Sequence, residues 1–272
     1  MVFAILSALV AVYIILAIVA FFAQRSMLFP APRASQEPEM RGSSLHRIPA
    51  RNGITVFALH VEAPASAVTI VHFHGNAEQL SDLIPLAWTV KQAGLGFFAV
   101  EYPGYGMAFS DQATETALYA AADTALRFLR DELHVPASSV VLQGQSLGTG
   151  VAVEMARRGY GARLALITPY TSIVDLAAVI APFVPARLLV RDRFDNAAKA
   201  PNLRLPVFIV HGTDDEVVPT RMGEQLSRLF PHATIRLETG AHHNDLLDRS
   251  SVTSELLRFA AAGQGKEQAP GQ

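Results

Sequence analysis

The stretch VVLQGQSLGTG at residues 140–150 decides how the rest of the chain is read. A short apolar run leads into Gly144-Gln145-Ser146-Leu147-Gly148, and the following LGTGVAVEMARRG has helical character. A G-x-S-x-G sequence between a strand and a helix can form a nucleophile elbow, a turn sharp enough to present the serine hydroxyl at the edge of a sheet. Side chains two residues to either side of that serine would collide as the strand folds back into the helix, hence the glycines. The plain alternative is a Gly-Ser bend in which Ser146 caps a helix. A serine hydroxyl is a poor nucleophile at neutral pH until a base removes its proton. The choice between the two therefore depends on finding a base, an acid and oxyanion donors elsewhere in the chain.

Outward from the elbow, apolar runs alternate with helical patterns. Residues 54–62 (ITVFALHVE) and 67–74 (AVTIVHFH) read as an antiparallel start, followed by strand candidates at 95–100, 163–168, 206–211 and 234–238. Several of these runs are almost continuously apolar, as in strands buried on both faces. In residues 112–133 Leu118, Ala122, Ala125, Leu129 and Leu133 recur at spacings of three and four, a helical period. Strand–helix alternation of this length predicts an α/β domain with a mostly parallel sheet and helices on both faces. No internal repeat and no dinucleotide-binding glycine fingerprint occurs.

The other requirements of acyl transfer fall at the ends of strand candidates. Leu147 N–H, at a helix start and favoured by its dipole, is one candidate oxyanion donor. HFHGNAE (72–78) ends an early strand, and Asn76 N–H is the second candidate. HGTDDEVVP (211–219) offers Asp214, Asp215 and Glu216 as acids, and GAHHND (240–245) offers His242 and His243 as bases. The order Ser, Asp, His, each after a separate strand, is the order of an α/β-hydrolase triad.

Composition narrows the partners. The chain has 272 residues, no cysteine and a formal net charge of -2. Without a basic tract, nucleic acid is not expected as a partner; without cysteine, disulfides, thiol catalysis and cysteine-ligated metals are excluded. Residues 1–23 carry no charged side chain and would extend about 34 Å as a helix, enough to cross a bilayer. No Lys or Arg precedes Gln24, and no good small-x-small site follows the run, so an uncleaved transmembrane anchor is expected rather than a signal peptide. Arg25, Arg33 and Arg41 follow the span and favour a catalytic domain on the cytoplasmic side. Residues 24–44 read as a linker, 45–262 as the folded domain and 263–272 as a loose tail.

From about residue 40 to 260 the chain resembles the α/β-hydrolase superfamily, and more narrowly the membrane-anchored ABHD-type serine hydrolases and their bacterial relatives. The resemblance rests on HFHGNAE (72–78), EYPGYG (101–106), GQSLG (144–148), TPYTS (168–172), RFDN (193–196), HGTDDEVVP (211–219) and GAHHND (240–245), with AQRSMLFP (23–30) after the anchor. It implies a central sheet of about eight strands and a short cap at about 173–205. It also implies Ser146 as nucleophile, Asp215 rather than Asp214 as acid and His243 rather than His242 as base, with Leu147 and Asn76 as oxyanion donors. No cofactor or metal is implied. Met107-Ala108-Phe109 replaces the small polar residues common in relatives, which is expected to reshape the pocket rim.

Ile180, Phe183, Val184, Leu188, Leu189 and Val190 supply the cap with apolar material to line an acyl pocket or touch a bilayer, and the plain alternative is a helix packing on the sheet. The expected activity is hydrolysis of an acyl ester or thioester, on a lipid-like or acylated substrate. A serine peptidase or amidase and a non-catalytic scaffold of the same fold are the alternatives. A metallohydrolase built from His72, His74, His242, His243 and Asp215 is the remotest reading. Substrate identity and oligomeric state are not legible in the residues.

Overall fold

A computed structural model describes residues 1–32, 37–50 and 53–262. Arg33, within the expected linker, and the tail at 263–272 lie outside the described residues. The strands are β1 (Ser44–Pro49), β2 (Thr55–Val61), β3 (Thr69–Phe73), β4 (Gly96–Val100), β5 (Val140–Gln145), β6 (Arg163–Ile167), β7 (Val207–Gly212) and β8 (Ala233–Glu238). They form one sheet in the order β1-β2-β4-β3-β5-β6-β7-β8. β1, β2 and β4 pair antiparallel, and β4-β3-β5-β6-β7-β8 pair parallel. The expected antiparallel start is therefore corrected in its partners: β2 lies between β1 and β4 and does not pair with β3. Residues 44–49, SLHRIP, mix a proline and an arginine into a half-exposed edge strand, which hides their strand character in the sequence.

The helices are α1 (Val2–Leu28), α2 (Ile84–Gln92), α3 (Glu115–Asp131), α4 (Leu147–Arg157), α5 (Ile173–Ile180), α6 (Ala186–Leu189), α7 (Asn196–Lys199), α8 (Thr220–Leu229) and α9 (Ser250–Ala261). Helices α3, α4 and α8 pack on one face of the sheet, and α2 and α9 on the other. Every residue of β3, β4, β5 and β7 is buried, because both faces are covered. In β3, Ile70 enters one core and Val71 and Phe73 the other.

The chain leaves β3 through α2 to reach β4 on one side, then passes through α3 to reach β5 on the other. The loops after β3 and β5 thus diverge at their carboxyl ends, which opens a crevice at the point where strand order reverses. Phe73 pairs with Gly144, so the chain beyond β3 and the elbow beyond β5 emerge side by side.

The elbow is a close-contact structure. Ser146 has φ 49° and ψ -116°, a backbone region that side chains other than glycine rarely occupy. A Cβ on Gly144 would lie 2.5 Å from the Gly148 carbonyl oxygen, and a Cβ on Gly148 would lie 2.0 Å from the Phe73 carbonyl oxygen. Backbone occupies both positions, so neither contact can be relieved by a side-chain rotation. Gly150 likewise leaves no room for a Cβ, because Tyr170 and Phe194 of the TPYTS and RFDN stretches close over α4 there.

Helix α1 continues five residues beyond the uncharged run, to Leu28. None of its residues is buried, and its most apolar window has a mean hydropathy of 3.0. It is long and apolar enough to cross a membrane. Its last turn touches the domain: Asn76 Nδ2 donates to the Leu28 carbonyl, and the next residue, Phe29, is buried edge-on against Phe194.

Replacing Gly148 by alanine is expected to cost about 3 kcal/mol, an overpacking that cannot relax. For a domain of this size that lowers the melting temperature by roughly 6–12 °C. A Gly148→Ala protein melting within a degree of the wild type would show that α4 and β3 do not approach as described.

Candidate active site

Ser146 stands at the turn between β5 and α4, and its hydroxyl does not cap the helix. Its carbonyl instead accepts from the Thr149 N–H and hydroxyl, which leaves Oγ free for another partner. That partner is His243 Nε2, at 2.9 Å. His243 Nδ1 lies 2.8 Å and 3.0 Å from the two oxygens of Asp215. An ionised carboxylate can only accept, so Nδ1 carries the proton and the Nε2 lone pair faces the serine hydroxyl.

The ambiguous neighbours separate by burial. The Asp215 side chain has no exposure and that of His243 has 6%. His242 and Glu216 pair with each other at the surface, with side chains 61% and 60% exposed. Asp214 accepts from the Thr213 hydroxyl, also at the surface. Of the acids and bases in the two loops, Asp215 and His243 alone converge on Ser146 among the described residues.

Asp215 is held by a set of donors that sequence reading left out. Its Oδ1 accepts from Val217 N–H at 2.9 Å and Val218 N–H at 2.8 Å. Its Oδ2 lies 3.2 Å from Nε2 of His211, a fully buried imidazole at the end of β7 whose Nε2–H also reaches the Val218 carbonyl at 2.9 Å. Gly223 of α8 makes room for this ring, since a Cβ there would sit 2.4 Å from His211 Nδ1. The signal was present in HGTDDEVVP, four residues before Asp215, but it read only as the end of a strand. Burial by itself would raise the Asp215 pKa. The hydrogen bonds from His211, His243 and Val218 outweigh it and hold the carboxyl well below its ordinary value.

The loop after β3 completes the crevice. Gly75 N–H donates to Glu78 Oε2 at 2.6 Å, and a Cβ on Gly75 would come within 3.7 Å of Ser146 Cβ. The Asn76 side chain is fixed at both ends, accepting from the Tyr105 hydroxyl and donating to the Leu28 carbonyl. Asn76 and Leu147 line one cavity with Ser146 and His243, and neither backbone amide donates to another group among the described residues. Beneath the loop lies a buried pair, His74 and Glu101, with Nε2 and Oε1 3.5 Å apart and no hydrogen bond formed. Burial opposes charge on His74, but Glu101 and the Gly75 carbonyl raise its pKa overall.

The cavity measures about 420 Å³. Its apolar wall comes from Leu28, Ile173, Leu176, Val217 and Val218. Of the alternatives for the cap residues, lining the pocket is not the one seen: the lining comes from the start of α5, while Ile180, Phe183 and Leu188 are exposed. Met107, Ala108 and Phe109 do not line the cavity either, so they do not reshape its rim. A larger surface groove, about 880 Å³, runs beside α3 and the β1–β2 edge, away from Ser146. The metallohydrolase set does not assemble. His72 Nδ1 accepts from Gln143, burial pushes its pKa down to about 3, and His74 faces Glu101. No cluster of three metal-ligating side chains occurs among the described residues.

A mostly parallel sheet with a serine elbow at its switch point defines an α/β-hydrolase fold, and the comparisons with known proteins agree. No protein-family model matches the chain. It is 33% identical over 203 residues to the α/β hydrolase domain-containing protein aho-3 of Caenorhabditis elegans, a match covering 72% of this chain and 58% of that protein. It is 33% identical over 200 residues to human α/β hydrolase domain-containing protein 17C, covering 72% and 59%. An uncharacterized Mycobacterium tuberculosis protein is 30% identical over 198 residues, covering 71% and 70%. The chain thus spans less than two thirds of the animal relatives' length. Among solved structures, an esterase from Pyrococcus furiosus superposes with a TM-score of 0.68 at 13% identity, over 86% of this chain and 97% of that one. Esterase 2 of Thermogutta terrifontis superposes with a TM-score of 0.63 at 18% identity, over 82% and 94%. The chain belongs to the α/β-hydrolase superfamily.

The depressed pKa of Asp215 has a signed consequence for stability. A carboxyl that titrates lower in the folded state than its unfolded value of about 3.9 stabilises the fold above that pH. The contribution is lost as pH falls through the unfolded value toward the folded one. Asp215→Asn removes it at every pH, so its stability curve is expected to be flatter than the wild type's between pH about 4 and 2. Urea unfolding across that range measures both slopes, and parallel curves would contradict the described hydrogen bonds.

Proposed function

We propose that the protein is a serine hydrolase that cleaves an acyl ester or thioester through an acyl-enzyme. The observation that carries this reading is the relay from Ser146 Oγ to His243 Nε2 at 2.9 Å and from His243 Nδ1 to Asp215 at 2.8 Å. As Ser146 Oγ attacks the carbonyl carbon, His243 takes its proton and the carbonyl π electrons move onto oxygen. The resulting oxyanion sits between the Leu147 and Asn76 amides, where the start of α4 adds its dipole. His243 then gives the proton to the departing alcohol or thiol, and the carbonyl re-forms as the acyl-enzyme. Water repeats the sequence from the other side, with His243 as base, and releases the acid and free Ser146. Asp215 keeps the imidazole in the required tautomer and stabilises its charged form.

The preference for an acylated substrate rests on the cavity wall. Leu28, Ile173, Leu176, Val217 and Val218 give an apolar surface beside the nucleophile, in a volume of about 420 Å³ that lies within the range of small-molecule sites. Helix α1 supports a single-pass membrane anchor, and the arginines after its uncharged run, Arg25, Arg33 and Arg41, favour the cytoplasmic side for the domain. An anchored enzyme with an apolar pocket suits acyl groups drawn from or displayed at a membrane.

Labelling with a fluorophosphonate probe tests the nucleophile and its base together. Wild type and His242→Ala are expected to label, and Ser146→Ala and His243→Ala are not. Turnover of a chromogenic acyl ester by Ser146→Ala should fall by about a million-fold. Labelling that persists in Ser146→Ala would sink the assignment, and efficient cleavage of polar peptides without cleavage of acyl esters would overturn the substrate class.

A further inference from the structure

The cap segment carries a surface that the reaction at Ser146 does not use. Residues 176–186, LAAVIAPFVPA, contain no polar side chain, and Asp175 and Arg187 bound the run. At its tip Ile180 is 69% exposed and Phe183 84%, and Leu188 just beyond is 83% exposed. Exposed apolar residues of this size in one short hairpin are unusual for a surface in contact with water.

The hairpin lies along α1. The Tyr13 hydroxyl donates to the Phe183 carbonyl at 2.9 Å. Farther down, Gln24 Nε2 donates to the Leu189 carbonyl at 3.1 Å, and Arg191 N–H donates to Gln24 Oε1 at 2.8 Å. Arg25 Nε pairs with Asp192 at 2.9 Å, and the Arg191 guanidinium lies over the Phe21 ring. Residues 183–192 therefore follow α1 from Tyr13 to Arg25. Their apolar end lies beside the middle of the helix, and their charged end beside its first charged residue.

That placement decides between two arrangements. If the cap stayed in water, only the Val2–Tyr13 part of α1 would be left to lie in the membrane, and that part of the helix extends about 18 Å. The hydrocarbon core is about 30 Å thick. For α1 to span it, the stretch between Tyr13 and Arg25 must lie in hydrocarbon too, and the hairpin packed on that stretch must go with it.

Unpaired amides are costly in lipid, and at the tip of the hairpin all but the Phe183 N–H are paired or absent. Pro182 and Pro185 have no N–H. The N–H groups of Ala181, Val184 and Ala186 donate to carbonyls within the hairpin or α5, and the Phe183 carbonyl takes the Tyr13 hydroxyl. Exposed Arg187, Arg191 and Arg193 then fall toward the charged end, where phosphate headgroups would meet them.

We propose that the α5–α6 hairpin inserts into the leaflet beside α1, so that a lipid bilayer covers Ile180, Phe183 and Leu188. This rests on the reading of α1 as a membrane anchor. It also gives the substrate a route. Leu28 at the end of α1 and Ile173 and Leu176 of α5 form one wall of the Ser146 cavity, so an acyl chain leaving the leaflet passes between two membrane-seated elements.

The absence of cysteine makes the test direct, because one introduced cysteine is a unique labelling site. The full chain is reconstituted in vesicles of phosphatidylcholine and phosphatidylglycerol with an NBD fluorophore at Phe183→Cys, Leu188→Cys, Leu9→Cys or Phe109→Cys. All four positions are exposed, so the substitutions leave packing intact. Labels at 183, 188 and 9 should be quenched by lipids brominated in the acyl chain and at least five-fold less sensitive to aqueous iodide than the label at 109. If the label at 9 is protected while those at 183 and 188 respond to iodide like 109, the anchor stands and the insertion of the cap is wrong. A protein partner covering the patch would give that same result in pure lipid. If the label at 9 is also open to iodide, the anchor reading fails and the proposal fails with it.

Discussion

The contact between the first turn of α4 and the end of β3 is the constraint on which the rest of the site depends. No side chain fits between Gly148 and the Phe73 carbonyl, nor between Gly144 and Gly148. Because backbone meets backbone there, Ser146 is forced into a positive-φ turn, and its hydroxyl is thrown clear of the helix it would otherwise cap. The same approach sets the Leu147 amide beside the loop that leaves β3. One packing requirement thus fixes the positions of the serine, the helix dipole and the loop carrying Asn76.

Around that contact the protein surrounds polar groups with more partners than bare geometry demands. Asp215 is gripped by two backbone amides and two imidazoles, so its charge is retained despite burial. Asn76 is held through its side chain by Tyr105 and by the end of α1, which leaves its backbone amide to the cavity. In both cases the group beside the serine is positioned by a neighbour at some distance in sequence. The grip on Asn76 also joins the amino-terminal helix to the crevice beside Ser146, so the helix belongs to the site's wall as well as being a candidate anchor.

Several features were legible from residues alone because they are local. Continuous apolar runs announced strands covered on both faces, and the glycines around Ser146 announced a turn too tight for side chains. The pairing of β2 was not legible, because which strands become neighbours depends on the path of the whole chain. β1 was hidden for a related reason: an edge strand with one partner keeps polar residues and a proline that a central strand would not tolerate. His211 escaped notice because an imidazole at the end of an apolar strand looks like its terminus until the loop folds Asp215 back onto it.

The cap shows the same division. Its composition declared an apolar surface, but periodicity could not say whether Ile180 and Phe183 face the serine or the outside. The structure turns Ile173 and Leu176 inward and the tip outward, because the start of α5 is hydrogen-bonded to residues 193–197 and the tip lies along α1. By itself, then, the sequence determined the alternation of the central strands and helices, the elbow, the apolar amino-terminal run and a short set of candidate acids and bases. Only tertiary structure decided which of them meet. Hydrogen bonds reach about 3 Å, and no pattern in one dimension places Ser146, Asp215 and His243 within that distance.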